Sequence, residues 1–430
     1  MLKVVEAFSG IGAQAKALER IKERNGYEYT ILNTADWDIN AIVAYDLIHH
    51  GEQDLEKYSH LSKEELIKRL EGYTLSPDGK EPFKEGGLKR CSRDILVRVL
   101  AAIERSKNLV SITNIAGNDL PKDIDVMTYS FPCQNLSIAG VMHGVMTGID
   151  RNIKNRSGML WEVERILKER DGDNEEGYTL PLPKFLLMEN VTTLRSERHS
   201  RDFGEWKSFL ESKGYYNIEY KLDADRFGIP QTRSRLFMIS VWLGKEQEEY
   251  SVRKRILENY LDGKNLELDD EYIATLGIVS RTLQDIICID DEYTVELRES
   301  VLNDTPSRER IVNNNITLLS TEKNSVRYEK NMRTITTKQD RDPCAGLVEY
   351  PNDIEGKLNY RYLTPRECFL GMGFDSEDYQ ILIDNNFKVN RGNMFFNASK
   401  IYKMAGNSIV VNILEAIFLQ IFEIKDLLEV

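Results

Sequence analysis

The chain has 430 residues, a formal net charge of −13, and 41% hydrophobic and 30% charged side chains. That length accommodates one large α/β domain with a smaller second one, and no uninterrupted apolar run approaches the roughly 18 residues of a membrane span. The five cysteines, Cys91, Cys133, Cys288, Cys344 and Cys368, are widely spaced without a Cys-x-x-Cys pair, which argues against both a disulfide framework and a structural zinc site, so no metal is expected. The start, Met1–Glu6, runs straight into a strand-like stretch without a basic region and apolar core, so no secretory signal is read and the cytoplasm is the expected compartment. An acidic chain argues against a nucleic-acid partner, but the acidity is regional. Residues 243–304 hold 16 acidic and 7 basic side chains, whereas 305–341 hold 8 basic and 4 acidic, so a basic face survives.

In chain order, Lys3–Phe8 reads as a strand leading through Ser9-Gly10-Ile11-Gly12 into a helix over Ala13–Arg24, with Ala15, Leu18 and Ile21 at helical spacing. Strand, glycine turn and helix open a nucleotide-binding fold, because glycines admit a ligand to the backbone and the helix amides point at it. A second strand, Thr30–Asn33, precedes Asp36-Trp37 and a helix from Asp38 to about His50. An acid there is positioned for ribose hydroxyls, and the indole offers a flat face to an adenine. Residues 51–109 read as a polar, largely helical elaboration with no visible chemistry.

Asp125–Ser130 reads as a buried parallel strand ended by Pro132, so Cys133 falls at a strand's carboxyl end, where ligands and catalytic side chains collect in open α/β sheets. A thiolate there can act as a nucleophile, with Gln134, Asn135 and Ser137 beside it to bind a polar substrate. For a lone cysteine, a buried inert thiol is the commoner case. Gly144, Gly148 and the basic run Arg151–Arg156 suit a loop closing over a phosphate backbone, and a helix follows from Ser157, its expected cap, to about Arg170.

Lys184–Met188 is a further buried strand ending in Glu189-Asn190-Val191. A glutamate at such a place is costly to desolvate without a partner or a task, which makes it a general-acid candidate beside a thiol, a salt-bridge carboxylate being the alternative. Ile218–Leu222, the turn-bearing run Arg226–Arg235 and Leu236–Trp242 read as strand, turn, strand, with Gln231, Arg233 and Arg235 alternating onto one face. From Leu243 to about Leu358 the strand–helix rhythm breaks down, marking a domain boundary. Thr364-Pro365-Arg366-Glu367 forms a capping box, and Lys400–Met404 leads through Asn407 and Ser408, as caps, into a long apolar helix over Ile409–Leu428.

Taken together, these runs resemble the ordered motifs of the cytosine-C5 DNA methyltransferases from about residue 4 to residue 415. Phe8, Gly10, Ile11 and Gly12 match the first motif, Asp36 and Trp37 the second, Pro132-Cys133-Gln134 the catalytic loop, and Arg156–Trp161 the fifth. Glu189-Asn190-Val191 matches the sixth, Gln231-x-Arg233-x-Arg235 the eighth, Arg361–Glu367 the ninth and Lys400–Ser408 the tenth. One departure is the aspartate usual after the third strand, where this chain has Ser111-Ile112.

The resemblance implies an α/β fold. A Rossmann-like S-adenosylmethionine-dependent methyltransferase domain (1–242 plus 359–430) would carry a smaller target-recognition domain (243–358) before a C-terminal segment that folds back beside the first strand. It implies Cys133 as nucleophile, Glu189 at the N3 and amino edge of the cytosine, Arg235 at its carbonyl, and Arg233 at a phosphate or the loop. The methyl donor, which leaves as S-adenosylhomocysteine, would meet Phe8, Gly10, Ile11, Gly12, Asp36, Trp37, Ile112, Pro132, Asn407 and Ser408. Duplex DNA would meet Gln134, Ser137, Arg156, Gln231, Arg308, Arg310, Arg327 and Arg333. A monomer is expected, with a restriction endonuclease acting on the same site as its companion. Three other readings use parts of the pattern: a tRNA cytosine methyltransferase on the same scaffold, a nicotinamide dehydrogenase suggested by the glycine turn alone, and a catalytically silent DNA-binding regulator.

Overall fold

A computed structural model describes residues 1–132, 149, 156–289, 294–322, 325–389 and 392–429. Cys133, Gln134 and Ser137 lie outside the described residues, as do the side chains of Arg156 and Ser157.

The chain divides into two compact units. The first comprises Met1–Leu222, Ser234–Leu276 and Glu415–Val430, and the second Asp223–Arg233 and Gly277–Leu414. Residues 243–276 therefore group with the first unit and residues 359–414 with the second.

The first unit is built on strands β1 (Leu2–Ala7), β2 (Tyr29–Ala35), β3 (Val126–Tyr129), β4 (Phe185–Val191) and β5 (Tyr215–Asp223), with the strand Ser234–Trp242 completing a six-stranded sheet. The order is β2, β1, β3, β4, Ser234–Trp242, β5. β1 runs parallel to both β2 and β3, and β3 runs parallel to β4. The chain leaves β1 for β2 on one side and returns to β3 on the other. Such a reversal of strand order opens a crevice at the carboxyl ends, where ligands bind. Near-continuous apolar runs are what a parallel sheet covered on both faces requires, and β3 is buried throughout.

Helices α1 (Ala13–Asn25) and α2 (Ile39–His50) follow β1 and β2. Asp38 caps α2 by accepting from the Asn40 amide. The third-strand expectation before Ser111 is not met: a single parallel bridge joins Thr34 to Asn108, and Ile112–Asn114 is a 3-10 turn. The C-terminal helix runs over Val411–Leu428, two residues later than expected, and Asn407 and Ser408 end the preceding helix, Ala398–Asn407, instead of capping it.

Within the first unit, Glu415 of the C-terminal helix receives Arg20 at 3.1 Å and Arg24 at 2.8 Å from α1, and Phe422 stacks on Tyr27 at 4.4 Å. By length and composition alone, Ala398–Leu428 could cross a membrane; 89% of its apolar window is buried inside the protein, which accounts for that character as a core helix.

The second unit carries a five-stranded sheet. Its central strand, Leu347–Glu349, is parallel to Thr317–Glu322 and antiparallel to Lys357–Tyr362. The capping box of the helix Pro365–Gly371 forms as read, and its Glu367 also pairs with Arg361 at 2.7 Å, both side chains almost wholly buried.

Glu6 sits fully buried in β1, where the Tyr45 hydroxyl donates to it at 2.8 Å. Burial pushes its carboxyl up to about 7 from an ordinary 4.5. Because the folded value is raised, the stability tied to this group is full below pH 4.5 and is lost as pH rises through about 7. Glu6→Gln removes that dependence, so the parent should lose about 3 kcal/mol more than the variant between pH 5 and 8 in denaturant titrations.

Candidate active site

At the carboxyl end of β1 the backbone enters the left-handed region at Phe8 (φ 57°), Gly10 (55°) and Gly12 (78°). The turn is closed by Ser9 N–H to the Ala35 carbonyl at 3.2 Å and Gly12 N–H to the Ser9 carbonyl at 2.9 Å. Asp36, just beyond β2, accepts from the Gly10 amide at 3.0 Å and the Asp38 amide at 2.9 Å. One carboxylate thus ties the glycine turn to the start of α2. Asn108 holds the Asp36 peptide itself: its side-chain oxygen accepts from Asp36 N–H at 3.1 Å, and its amide nitrogen donates to the Asp36 carbonyl at 3.1 Å. In place of a full third strand, the Asn108 side chain adds these bonds to a single backbone bridge, in which Leu109 N–H donates to the Thr34 carbonyl at 2.8 Å. Trp37 and Phe8 are half-buried and Ile112 is buried beside this turn's elements. Ser111 is buried, its hydroxyl engaged with Thr113 at 2.8 Å.

The second cluster lies one strand over. Tyr129 of β3 pairs with Met188 of β4, so Glu189 sits beside the exit of β3, four residues before Cys133. β4 continues to Val191, two residues beyond the point where the acid was expected, and Glu189 pairs with Phe237 on the antiparallel neighbour. The diagonal partner on that face, Arg235, places its Nε 3.2 Å from Glu189 Oε1, both side chains half-buried. Asn190, 1% exposed, donates to the Phe131 carbonyl at 3.1 Å. Trp161 donates to the Ile149 carbonyl at 2.7 Å. Both flanks of the segment 133–148 are therefore held from within the first unit. Behind them, Trp206 donates to the Tyr129 hydroxyl at 3.2 Å and packs edge-on to Trp161.

A family profile described as C-5 cytosine-specific DNA methylase matches residues 93–423. The orphan methyltransferase M.SssI of Spiroplasma monobiae is 34% identical over 97% of this chain and 96% of its own length. The chain belongs to the C-5 cytosine-specific DNA methylases. Type II methyltransferase M2.ScrFI of Lactococcus lactis subsp. cremoris is 30% identical over 98% of this chain and 99% of its own length. Dnmt2 methyltransferase of S. pombe shares the fold, with a TM-score of 0.56 at 16% identity, over 98% of this chain and 99% of that one. Membership disposes of the dehydrogenase reading, and the enzyme is a DNA (cytosine-5-)-methyltransferase.

In this methylase Gln231, Arg233 and Arg235 do not share one face. Gln231 belongs to β6 (Gln231–Thr232), which pairs with Met332–Arg333 in the second unit, whereas Arg235 opens β7 (Ser234–Trp242) in the first. Gln231 is fully buried, donating to the Gly371 carbonyl at 2.7 Å and accepting from the Ile335 amide at 2.9 Å. Arg233, 3% exposed, donates to the carbonyls of Ile335 at 2.8 Å, Gly406 at 3.0 Å and Ser408 at 2.8 Å. Both therefore tie segments of the second unit together, including the helix ends at Gly371 and Gly406, and neither faces solvent where a phosphate could reach it.

Arg233→Met should cost about 3 kcal/mol or more in a denaturation series, because the buried carbonyls lose a charged donor. Of the arginines expected at DNA, Arg310 and Arg327 are exposed. Arg308 is half-buried and donates to the Asp340 carbonyl at 2.7 Å, and Arg333, also half-buried, donates to Asn315 at 3.1 Å. Asn407 is exposed and Ser408 half-buried.

Asn108, Asn190 and Tyr45 carry structural weight that the sequence reading missed. An asparagine can accept from the amide two residues on, as Asn108 does from Val110 at 2.8 Å, and that residue type was the available signal for the first.

Proposed function

We propose that this methylase transfers a methyl group from S-adenosylmethionine to C5 of a cytosine flipped out of a short specific duplex sequence, through a transient bond between Cys133 and C6. The observation that carries the reading is the Glu189–Arg235 pair beside the exit of the strand that leads to Cys133. The donor site fits its ligand in kind. Gly10 carries a left-handed φ with nothing within 4 Å of a hypothetical side chain, Asp36 is the carboxylate proposed to meet the ribose hydroxyls, and Trp37, Phe8 and Ile112 supply apolar faces. Pro132 completes the proposed donor contacts within the first unit. When bound, the donor supplies an electrophilic sulfonium-bound methyl group.

The chain's own residues do the rest. Cys133 thiolate forms the S–C6 bond, and the C5–C6 π electrons become available at C5. Glu189 gives a proton to N3, and Arg235 donates to the ring carbonyl, so negative charge does not accumulate on the ring. C5 takes the methyl group, whose bonding pair stays with the departing sulfur of S-adenosylhomocysteine. A base then removes the C5 proton, the double bond re-forms, the thiolate leaves and the N3 proton returns to Glu189. A paired cytosine hides C6 in the stack, so extrusion at a cost of a few kcal/mol is required.

Cys133 is also the thiol left by elimination. Burial raises the thiols of Cys91, Cys288, Cys344 and Cys368, with Cys288 pushed up to about 12, and a raised thiol is a poor source of thiolate.

The 243–358 region is proposed to select the site, with Arg308, Arg310, Arg327 and Arg333 on the DNA side and Gln134, Ser137 and Arg156 contacting the strand near the flipped base. A cytoplasmic monomer that protects DNA from a restriction enzyme of the same specificity is the role this supports. Bisulfite sequencing of DNA from a host expressing the protein tests it. New 5-methylcytosine in one short context is expected, and conversion indistinguishable from a host without the gene contradicts it.

A further inference from the structure

We propose that His49 is a positioning residue of the methyl-donor site, fixing from behind the peptide between Ile11 and Gly12 that gives the glycine turn its shape. The inference rests on the donor-site reading above and adds to it a residue that none of the motifs contains.

His49 lies in the last turn of α2, with Nε2 3.0 Å from the Ile11 carbonyl. A carbonyl only accepts, so Nε2 carries the proton and the ring is the neutral tautomer with Nδ1 bare. Burial agrees, driving the imidazole down to about 3 from 6.5. The ring also fills the space beside Gly12: a Cβ there would meet His49 Nε2 at 2.1 Å, His49 Cδ2 at 2.6 Å and Tyr45 Cε2 at 2.7 Å. Gly12 is thus required twice, by its positive φ of 78° and by the imidazole against it.

The Tyr45 ring lies 4.5 Å from the His49 ring, and its hydroxyl donates to Glu6 in β1. Glu6 and Tyr45, both buried, and the half-buried His49 therefore form a column from the first strand to the turn. A peptide ending in glycine flips readily when neither end is tied, because glycine tolerates either orientation. Here both ends are tied, the Ile11 carbonyl by His49 and the Gly12 N–H by the Ser9 carbonyl. Asp36 holds the neighbouring Gly10 amide from the other side of the turn. The donor therefore meets a turn already in its binding shape, and the ordering cost is not charged against affinity.

The test measures S-adenosylhomocysteine binding by calorimetry, together with KM for donor and DNA and kcat, for the parent, His49→Leu and His49→Gln. His49→Leu leaves the Ile11 carbonyl without its donor and should raise the dissociation constant and the donor KM about tenfold. The DNA KM and the kcat at saturating donor should stay near parent values. His49→Gln, whose amide can donate to the same carbonyl, should recover most of the loss. Gly12→Ala should weaken binding more in the parent background than in His49→Ala, where the clash with the imidazole is gone and only that with Tyr45 and the strain of the positive φ remain.

Parent-like binding by His49→Leu overturns the inference, as does a loss confined to kcat or to DNA affinity. Should His49→Leu not fold, the Gly12→Ala comparison decides, and equal losses in both backgrounds overturn it. A parent that binds no S-adenosylhomocysteine overturns the donor-site reading itself, an outcome distinct from failure at His49.

Discussion

Cys133→Ser is expected to lower methyl transfer by roughly 10⁴-fold or more while leaving DNA and donor binding near parent values. A serine hydroxyl is not ionised near neutral pH, whereas a free thiol of pKa about 8.5 supplies a few per cent thiolate even before its surroundings lower that value. The other four cysteines offer no rescue: Cys344 and Cys368 are buried, Cys91 and Cys288 are half-buried, and burial raises the thiol pKa of each. Single-turnover assays on duplex containing the mapped site give the chemical step, and gel shifts give binding. A Cys133→Ser enzyme that still methylates within tenfold of the parent would remove the nucleophile from the account.

The second large effect falls on Glu189. Its carboxyl group lies 3.2 Å from Arg235 across the β4–β7 ladder, a diagonal pairing that the register allows, since Val191 opposes Arg235 and Glu189 opposes Phe237. Glu189→Gln keeps the size and can still hydrogen-bond the base edge, but it has no proton to give to N3. kcat should fall by roughly 10² to 10³, with KM for donor unchanged. Arg235→Met should produce a similar fall for a different reason, loss of the donor to the ring carbonyl and of the group that orients the acid. Because the two side chains touch, the double variant should lose far less than the product of the single losses. Multiplicative losses would mean that the pair does not act as a unit.

Much of the glycine turn and its surroundings was legible in the sequence because it rests on local rules. Gly10 and Gly12 sit where the chain needs positive φ, Asp36 follows a strand, and the Thr364–Glu367 box forms within four residues. The larger failures are non-local. Gln231 and Arg235 alternate as residues on one strand would, yet the strand breaks at Arg233, and β6 pairs with a segment about a hundred residues away. Alternation fixes a shared side only while one ladder continues, and nothing near Gln231 announces Met332 as its partner. The absent third strand is similar. Apolar residues at Leu109, Val110 and Ile112 suggest a strand, but Asn108 bonds the Asp36 peptide through its side chain and the backbone turns away at Val110. His49 and Tyr45 read as ordinary helix positions, since only the folded turn brings Gly12 against them.

Everything chemical in this account depends on a covalent bond between Cys133 and the pyrimidine, and a fluorinated substrate reports that bond directly. Duplex DNA carrying 5-fluorocytosine at the mapped site, incubated with protein and S-adenosylmethionine, blocks the final loss from C5 and should trap the pair. A complex that survives denaturing electrophoresis is expected for the parent, with its cross-link at the peptide bearing Cys133 by mass spectrometry. If the parent methylates ordinary DNA at that site yet leaves no such complex, or is cross-linked through another residue, the account is contradicted.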